Sequence, residues 1–440
     1  MAEVVPFQGI RYNSEIITDM AQVVAPPYDV ISPKEQIVFH ERHPNNVIRL
    51  ILGHPQAEDD ENNNVHTRAG RFFEKWMADR ILKHDDTAAI YLTTVTFESG
   101  GIQYTRSGLI ARVRLEPFEK GIILPHERTY SKVKSERLML MKQCHANFSP
   151  IFGLYPNGSD ILNRLSDITT MQTPEVDIID DKGHHHKLWR LTEPSVLDNL
   201  FTFFQTTPIY IADGHHRYET ALNYRDWVKE TISDFSDDHP ANFIMMSLSS
   251  MIDPGMIVLP AHRLPGDVGA DTISLLLKNA SDYFDLIPIA LDQPLDDALS
   301  QFDDVLSANA ERHAVGLYSR EPAALQVMAL KQGVMQQLFH DEIEPALQDL
   351  DVTVLTHLIM MKLLGFDQAR LDDATKMSYC TTIKDAAATV DEGRADVAFI
   401  LNPTKIEQVQ RVAEQGLIMP RKSTYFYPKV ISGLVFNGLR

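Results

Sequence analysis

The stretch Ile211-Ala212-Asp213-Gly214-His215-His216-Arg217-Tyr218-Glu219-Thr220 decides how this 440-residue chain is read. The apolar run Pro208-Ile209-Tyr210-Ile211-Ala212 before it has the character of a buried strand. A polar turn centred on Gly214 follows. Tyr218, Ala221, Tyr224 and Val228 then recur at helical spacing. The pattern predicts strand, tight turn and helix, with Asp213, His215, His216 and Arg217 packed into the turn. Backbone N–H groups at such a helix start, beside an Arg fork, form an anion site. Asp213 adds a carboxylate able to hold a metal ion or take a proton. Asp before Gly is also ordinary turn and capping chemistry. Two histidines and an Arg in the same turn favour a functional site, because sites concentrate titratable groups.

The length predicts two or three domains with ample core. Hydrophobic residues make up 44% and charged residues 23%, as in ordinary globular proteins. The net charge of −19 disfavours gripping of nucleic-acid backbones. A local basic pocket for one small anion remains compatible with it. The two cysteines, Cys144 and Cys380, are far apart and give neither a disulfide framework nor zinc-type cysteine spacing. The start lacks a basic segment followed by an apolar one. No apolar run approaches the roughly 18 residues of a membrane span. A cytoplasmic protein with no membrane partner is expected, its oligomeric state left open.

Outward from the signature, residues 1–115 read as an N-terminal α/β domain, 116–265 as the core and 266–440 as a C-terminal α/β domain. Asn46-Val47-Ile48-Arg49-Leu50-Ile51-Leu52 is a strand candidate, and residues 69–82 a helix with Phe72, Phe73 and Trp76 inward. Residues 89–97 and 104–115 are strands around a Gly100-Gly101 hairpin. Residues 271–283 and 406–415 read as helices, and 396–401 as a strand.

A second polar cluster is Leu124-Pro125-His126-Glu127-Arg128-Thr129, followed by Lys132, Lys134, Glu136 and Arg137. It offers a base and a phosphate clamp at consecutive positions, and Glu127 suits a general base for a hydroxyl. Taken alone, a charge run of this kind is more often a solvated loop. A third cluster spans Met419 to Lys429, where Lys422-Ser423-Thr424 lacks the glycines of a P-loop but offers Lys422 to a phosphate. Tyr28 and Asp29, after a double proline, are candidates for an acceptor pocket. Pro260-Ala261-His262-Arg263 is a candidate second anion contact. Gly183-His184-His185-His186-Lys187 looks metal-like, but three consecutive histidines cannot all face one ion. The flanking Asp180, Asp181 and Lys182 point to an exposed hairpin, and the structural reading is preferred.

Together these clusters resemble, over nearly the whole chain, the bacterial and archaeal family catalogued as domain of unknown function 1015. The resemblance rests on Ala25 to Ser32, Asn46 to Leu50, Pro125 to Thr129, Ile211 to Tyr218 and Met419 to Lys429. A second, local resemblance is of Asp213-Gly214-His215-His216-Arg217 to the Asp-Gly-His-x-Arg signature of the ParB/sulfiredoxin superfamily. That superfamily holds nucleotide phosphates in this turn and includes kinases for free L-serine. Sulfiredoxin chemistry is disfavoured, since histidines occupy the place of its reactive cysteine.

The resemblance implies a mixed α+β fold with a ParB/sulfiredoxin-like nucleotide-binding core flanked by N- and C-terminal α/β domains. It also implies phosphoryl transfer from ATP or ADP, with Mg²⁺, to a small hydroxylated metabolite, free L-serine first. By the order of motifs Glu127 takes the place of the base, with an insertion over residues 160–207 assumed. Asp213 would hold Mg²⁺ or orient the acceptor. His215, His216 and Arg217, with the turn at Gly214, would bind the transferring phosphate. His126, Arg128, Arg137 and Lys422 would be supporting contacts. A phosphatase or nucleotide hydrolase, with water replacing serine, is the alternative enzyme. A nucleotide-gated binding protein or sensor without turnover is the alternative outside catalysis.

Overall fold

The computed structural model describes residues 2–129, 131–373 and 375–440. The chain is mixed α+β and divides into two compact units. Met1–Ile257 and Pro428–Arg440 form the first, and Val258–Tyr427 the second. The boundary expected near residue 115 therefore falls inside one unit. The reason is strand pairing over long sequence separation. Strand Ile102–Arg114 pairs antiparallel with Ile90–Ser99 and also with Phe243–Ser250.

Among the described residues, the largest sheet of the first unit is nine-stranded. Along its main path the strands are Ile123–Leu124, Ile209–Asp213, Ile151–Tyr155, Phe243–Ser250, Ile102–Arg114, Ile90–Ser99, His185–Leu191 and Val176–Ile179. Val4–Val5 pairs with Ile102–Arg114 off that path. Gly100 and Gly101, both at positive φ, make the expected two-residue hairpin between Ser99 and Ile102. Residues 160–207, expected as an insertion, supply two strands of this sheet and the helices Ser159–Met171 (beginning one residue earlier) and Pro194–Phe204.

Residues 46–52, expected as a strand, instead hold the short helix Ile48–Ile51. Hydrogen bonding by the Asn46 side chain decides this. Asn46 accepts from the Ile48 N–H at 2.9 Å, and its amide donates to the Gln22 and Val24 carbonyls. The helix expected over 69–82 runs Val65–Ala78, started by an Asn64 cap, with Phe73 and Trp76 buried and Phe72 half-buried.

The helix after the signature, His215–Thr231, buries Tyr218, Ala221, Tyr224 and Val228 as its spacing predicts. It packs on Ser131–Cys144, which packs in turn on Val65–Ala78. The second unit is built on a six-stranded sheet from Phe284–Pro288 to Met377–Cys380. Alternate residues of Val397–Leu401 fall into two different hydrophobic clusters, so both faces of that sheet are covered. Among the described residues, no helix is long and apolar enough to cross a membrane.

Candidate functional site

Strand Ile209–Asp213 lies parallel to Ile123–Leu124, with Ile209 opposite Ile123 and Tyr210 opposite Leu124. Parallel neighbours end on the same side of a sheet. The sequence after Leu124, which is Pro125-His126-Glu127, therefore leaves the sheet beside the turn after Asp213. On its other edge the signature strand pairs with Ile151–Tyr155, and the register shifts between Ile211 and Asp213. Such a bulge re-aims the side chains at a strand end.

Gly214 stands at φ 98° and ψ 25°, a left-handed conformation that caps the next helix without a side chain. A Cβ there would lie 2.9 Å from the Arg217 guanidinium. Gly214→Ala is therefore expected to destabilise the first unit by about 1–2 kcal/mol, the cost of left-handed backbone for an L-residue. Urea unfolding followed by tryptophan fluorescence checks this, and a change within the error of the parent would contradict it.

Asp213 is held between two cations. Arg217 Nη2 is 2.7 Å from Oδ2, and Lys429 Nζ is 2.5 Å from Oδ1. Burial alone would raise the Asp213 pKa, but Lys429 and Arg217 outweigh it and hold the carboxyl well below its ordinary range. The Arg217 guanidinium also donates to the Pro150 carbonyl at 2.5 Å. One carboxylate facing two cations leaves a net positive charge at an N-terminal helix turn. That is the electrostatic condition for binding an anion. Both Asp213 oxygens thus already face cations.

His215 is buried beside His126, their rings edge to face at 4.8 Å. The His126 backbone N–H donates to His215 Nε2 at 3.2 Å. Burial, then the neighbouring His126, pushes the His215 pKa far down. The ring is therefore neutral. Since Nε2 accepts, the proton belongs on Nδ1. Nδ1 lies 3.7 Å from the Glu127 carboxylate. Burial also lowers His126, to about 4, against a hydrogen bond to the Ile211 backbone.

The loop carrying Glu127 is pinned twice to the signature helix. His126 meets His215, and one helical turn further Thr129 Oγ1 donates to Glu219 at 2.8 Å. Lys134 also pairs with Glu219. Glu219 lies outside the site expected from sequence, although its i, i+4 relation to His215 is readable there.

The other expected residues divide. Tyr28 and Arg217 line one small cavity of about 50 Å³ together with Arg137. The Arg137 guanidinium stacks 4.0 Å over the Tyr28 ring and donates to the Ile51 carbonyl. Asp29 is exposed, yet close enough to act on the charge of Arg137. His216 is half-buried in the first helical turn, and Arg128 is exposed. Lys422 belongs to the second unit, where its carbonyl accepts from Arg263. The ammonium at Asp213 comes instead from Lys429, seven residues on. His262 and Arg263, expected as an anion contact, are buried in strand His262–Pro265. Arg263 spends its guanidinium on the Ala261, Arg421 and Lys422 carbonyls, a structural role.

The profile of the family described as "Protein of unknown function (DUF1015)" matches residues 4–353, and the chain belongs to this family. No curated protein matches the chain. Among solved structures, it is similar to a conserved hypothetical protein from Pyrococcus furiosus. Identity there is 14% and the TM-score 0.34, over 73% of this chain and 92% of that one. Free serine kinase in complex with AMP is similar at 13% identity and TM-score 0.33, over 72% and 86%. SbnI with a C-terminal truncation, from Staphylococcus aureus, is similar at 9% and 0.33, over 74% and 86%.

Proposed function

We propose that this protein transfers a phosphoryl group from ATP or ADP to a small hydroxylated metabolite in the cytoplasm, with free L-serine as the first acceptor. The observation that carries the reading is the meeting of two sequence motifs at adjacent strand ends. The cationic turn from Asp213 to Arg217 lies beside a carboxylate, Glu127, that a neutral buried imidazole faces. Phosphoryl transfer needs positioning and charge neutralisation more than covalent chemistry. The first-turn N–H groups, Arg217 and Lys429 supply positive charge for phosphate oxygens. His216 stands in the same turn.

Glu127 takes the proton of the acceptor hydroxyl. His215 acts as its positioning residue through Nδ1–H. Asp213 serves as counter-ion and tether for Lys429 and Arg217, because both its oxygens already face cations. Mg²⁺ enters with the nucleotide as part of the substrate. Tyr28 and Arg137 flank the acceptor side.

The test is a turnover assay with the full chain, Mg²⁺, ATP or ADP, and a panel of hydroxylated metabolites including L-serine, followed by ³¹P NMR. A new phosphoester resonance that requires L-serine is the expected result. Orthophosphate alone would replace the kinase with a nucleotide hydrolase. Unchanged phosphorus signals in every mixture would overturn transfer and leave a binding protein.

A further inference from the structure

The hairpin formed by strands Val176–Ile179 and His185–Leu191 carries three side chains that no phosphoryl-transfer step uses. A strand alternates its side chains, so His184 and His186 fall on one face and His185 on the other. His184 and His186 are buried, while half-buried His185 pairs with Asp177. This corrects the expectation of an exposed run. The turn residues Asp181, Lys182 and Gly183 are exposed, but the two alternate imidazoles point inward.

Asp180 stands across from them. Its Oδ2 is 3.2 Å from His184 Nδ1 and 3.0 Å from His186 Nε2. All three atoms lie within 4.8 Å of one another. Ligands at zinc bond lengths in a tetrahedral site stand about 3.3 Å apart. The carboxylate is also fixed from behind. Its Oδ1 accepts the Lys182 and His184 backbone N–H groups, each at 2.9 Å. Gly183, at φ +78°, allows the tight turn that brings them there. Oδ2 alone is thereby presented to both rings, as second-shell hydrogen bonds orient ligands in known metal sites.

We propose that Asp180 Oδ2, His184 Nδ1 and His186 Nε2 bind one divalent transition-metal ion of the zinc class. Two imidazoles and one carboxylate select such an ion over magnesium or calcium, which prefer all-oxygen shells. Three protein ligands leave a position for a small exogenous one. His186 also lines a cavity of about 30 Å³ with Thr93, Ser247, Ser249 and Lys429. That is the room one water molecule takes, amid hydroxyl groups able to hold it. Binding requires both rings neutral and the carboxylate ionised.

The test uses the full chain, stripped with chelator and titrated with zinc chloride against a chromophoric zinc indicator. One equivalent that excess Mg²⁺ does not displace is expected. It should vanish in a His184→Ala/His186→Ala double variant and persist in His185→Ala, which changes the same hairpin on its other face. Equal binding by the parent and the double variant would overturn the site, and so would equal loss in His185→Ala. X-ray absorption on the zinc-loaded parent keeps the proposal falsifiable if the double variant does not fold. Scattering from two imidazoles is expected, and an all-oxygen shell would overturn it.

Discussion

Glu127→Gln is expected to lower phosphoryl transfer to L-serine by about 10²- to 10⁴-fold, the usual worth of a general base, while nucleotide affinity stays near the parent value. The separation follows from the geometry. In the proposed reaction, positive charge for phosphates comes from Arg217, Lys429 and the start of helix His215–Thr231, none of which the substitution touches. Gln keeps the size of Glu and an oxygen that His215 Nδ1–H can face, so the buried His126–His215 pair keeps its arrangement. Only the capacity to take a proton is lost. The check is paired: initial rates of phosphoester formation, and titration calorimetry with the nucleotide. Full activity with the fold intact would remove Glu127 from the role of base. A matching loss of nucleotide affinity would mean that the carboxylate shapes the phosphate site rather than the acceptor chemistry.

Local signals carried most of what the sequence revealed. The apolar run before Asp213 and the helical spacing after Gly214 fix strand, turn and helix within about twenty residues, with every determinant adjacent in the chain. The Gly100-Gly101 hairpin is legible for the same reason. Residues 46–52 misled because their apolar character suits a strand, while the decision lay with Asn46 and carbonyls more than twenty residues away. Lys422 and Lys429 stand in one basic, aromatic run. What separates them is that the chain re-enters the first unit at Pro428, a long-range fact invisible to composition. The Arg106 guanidinium holds the Pro428 carbonyl at 2.7 Å and so places the residue next to Lys429. The histidine run was legible but misread. Strand alternation already divides His184 and His186 from His185, and Asp180 precedes them by one tight turn.

The first unit is expected to lose stability as pH falls from 7 towards 4, with much of the loss tied to the His126–His215 pair. Burial depresses both rings, His126 to about 4 and His215 well below its ordinary value. An unfolded histidine titrates near 6.5. Between that value and the folded one the unfolded chain binds more protons, so stability rises with pH across the window and falls on acidification. For His126 alone the window amounts to about 3 kcal/mol once fully traversed, at roughly 1.4 kcal/mol per unit. His126 is completely buried, so solvent does not screen this contribution. The depressed carboxylate Asp213 acts in a different range. Its stabilisation is complete above the unfolded value near 3.9 and fades only below it. The interval from pH 6.5 to 4.5 therefore separates the histidines from Asp213, while Asp253, whose carboxyl burial pushes up, acts in the opposite sense. All three tryptophans, Trp76, Trp189 and Trp227, lie in the first unit. Urea unfolding followed by their fluorescence thus reports that unit by itself. His126→Asn keeps an amide able to reach the Ile211 backbone and has nothing to protonate. It should flatten the pH dependence by about 1 kcal/mol per unit near pH 5.5. A variant whose stability falls as steeply as the parent's would show that the buried pair does not bear the charge change, and that half-buried rings such as His40 and His66, which burial also depresses, carry it instead.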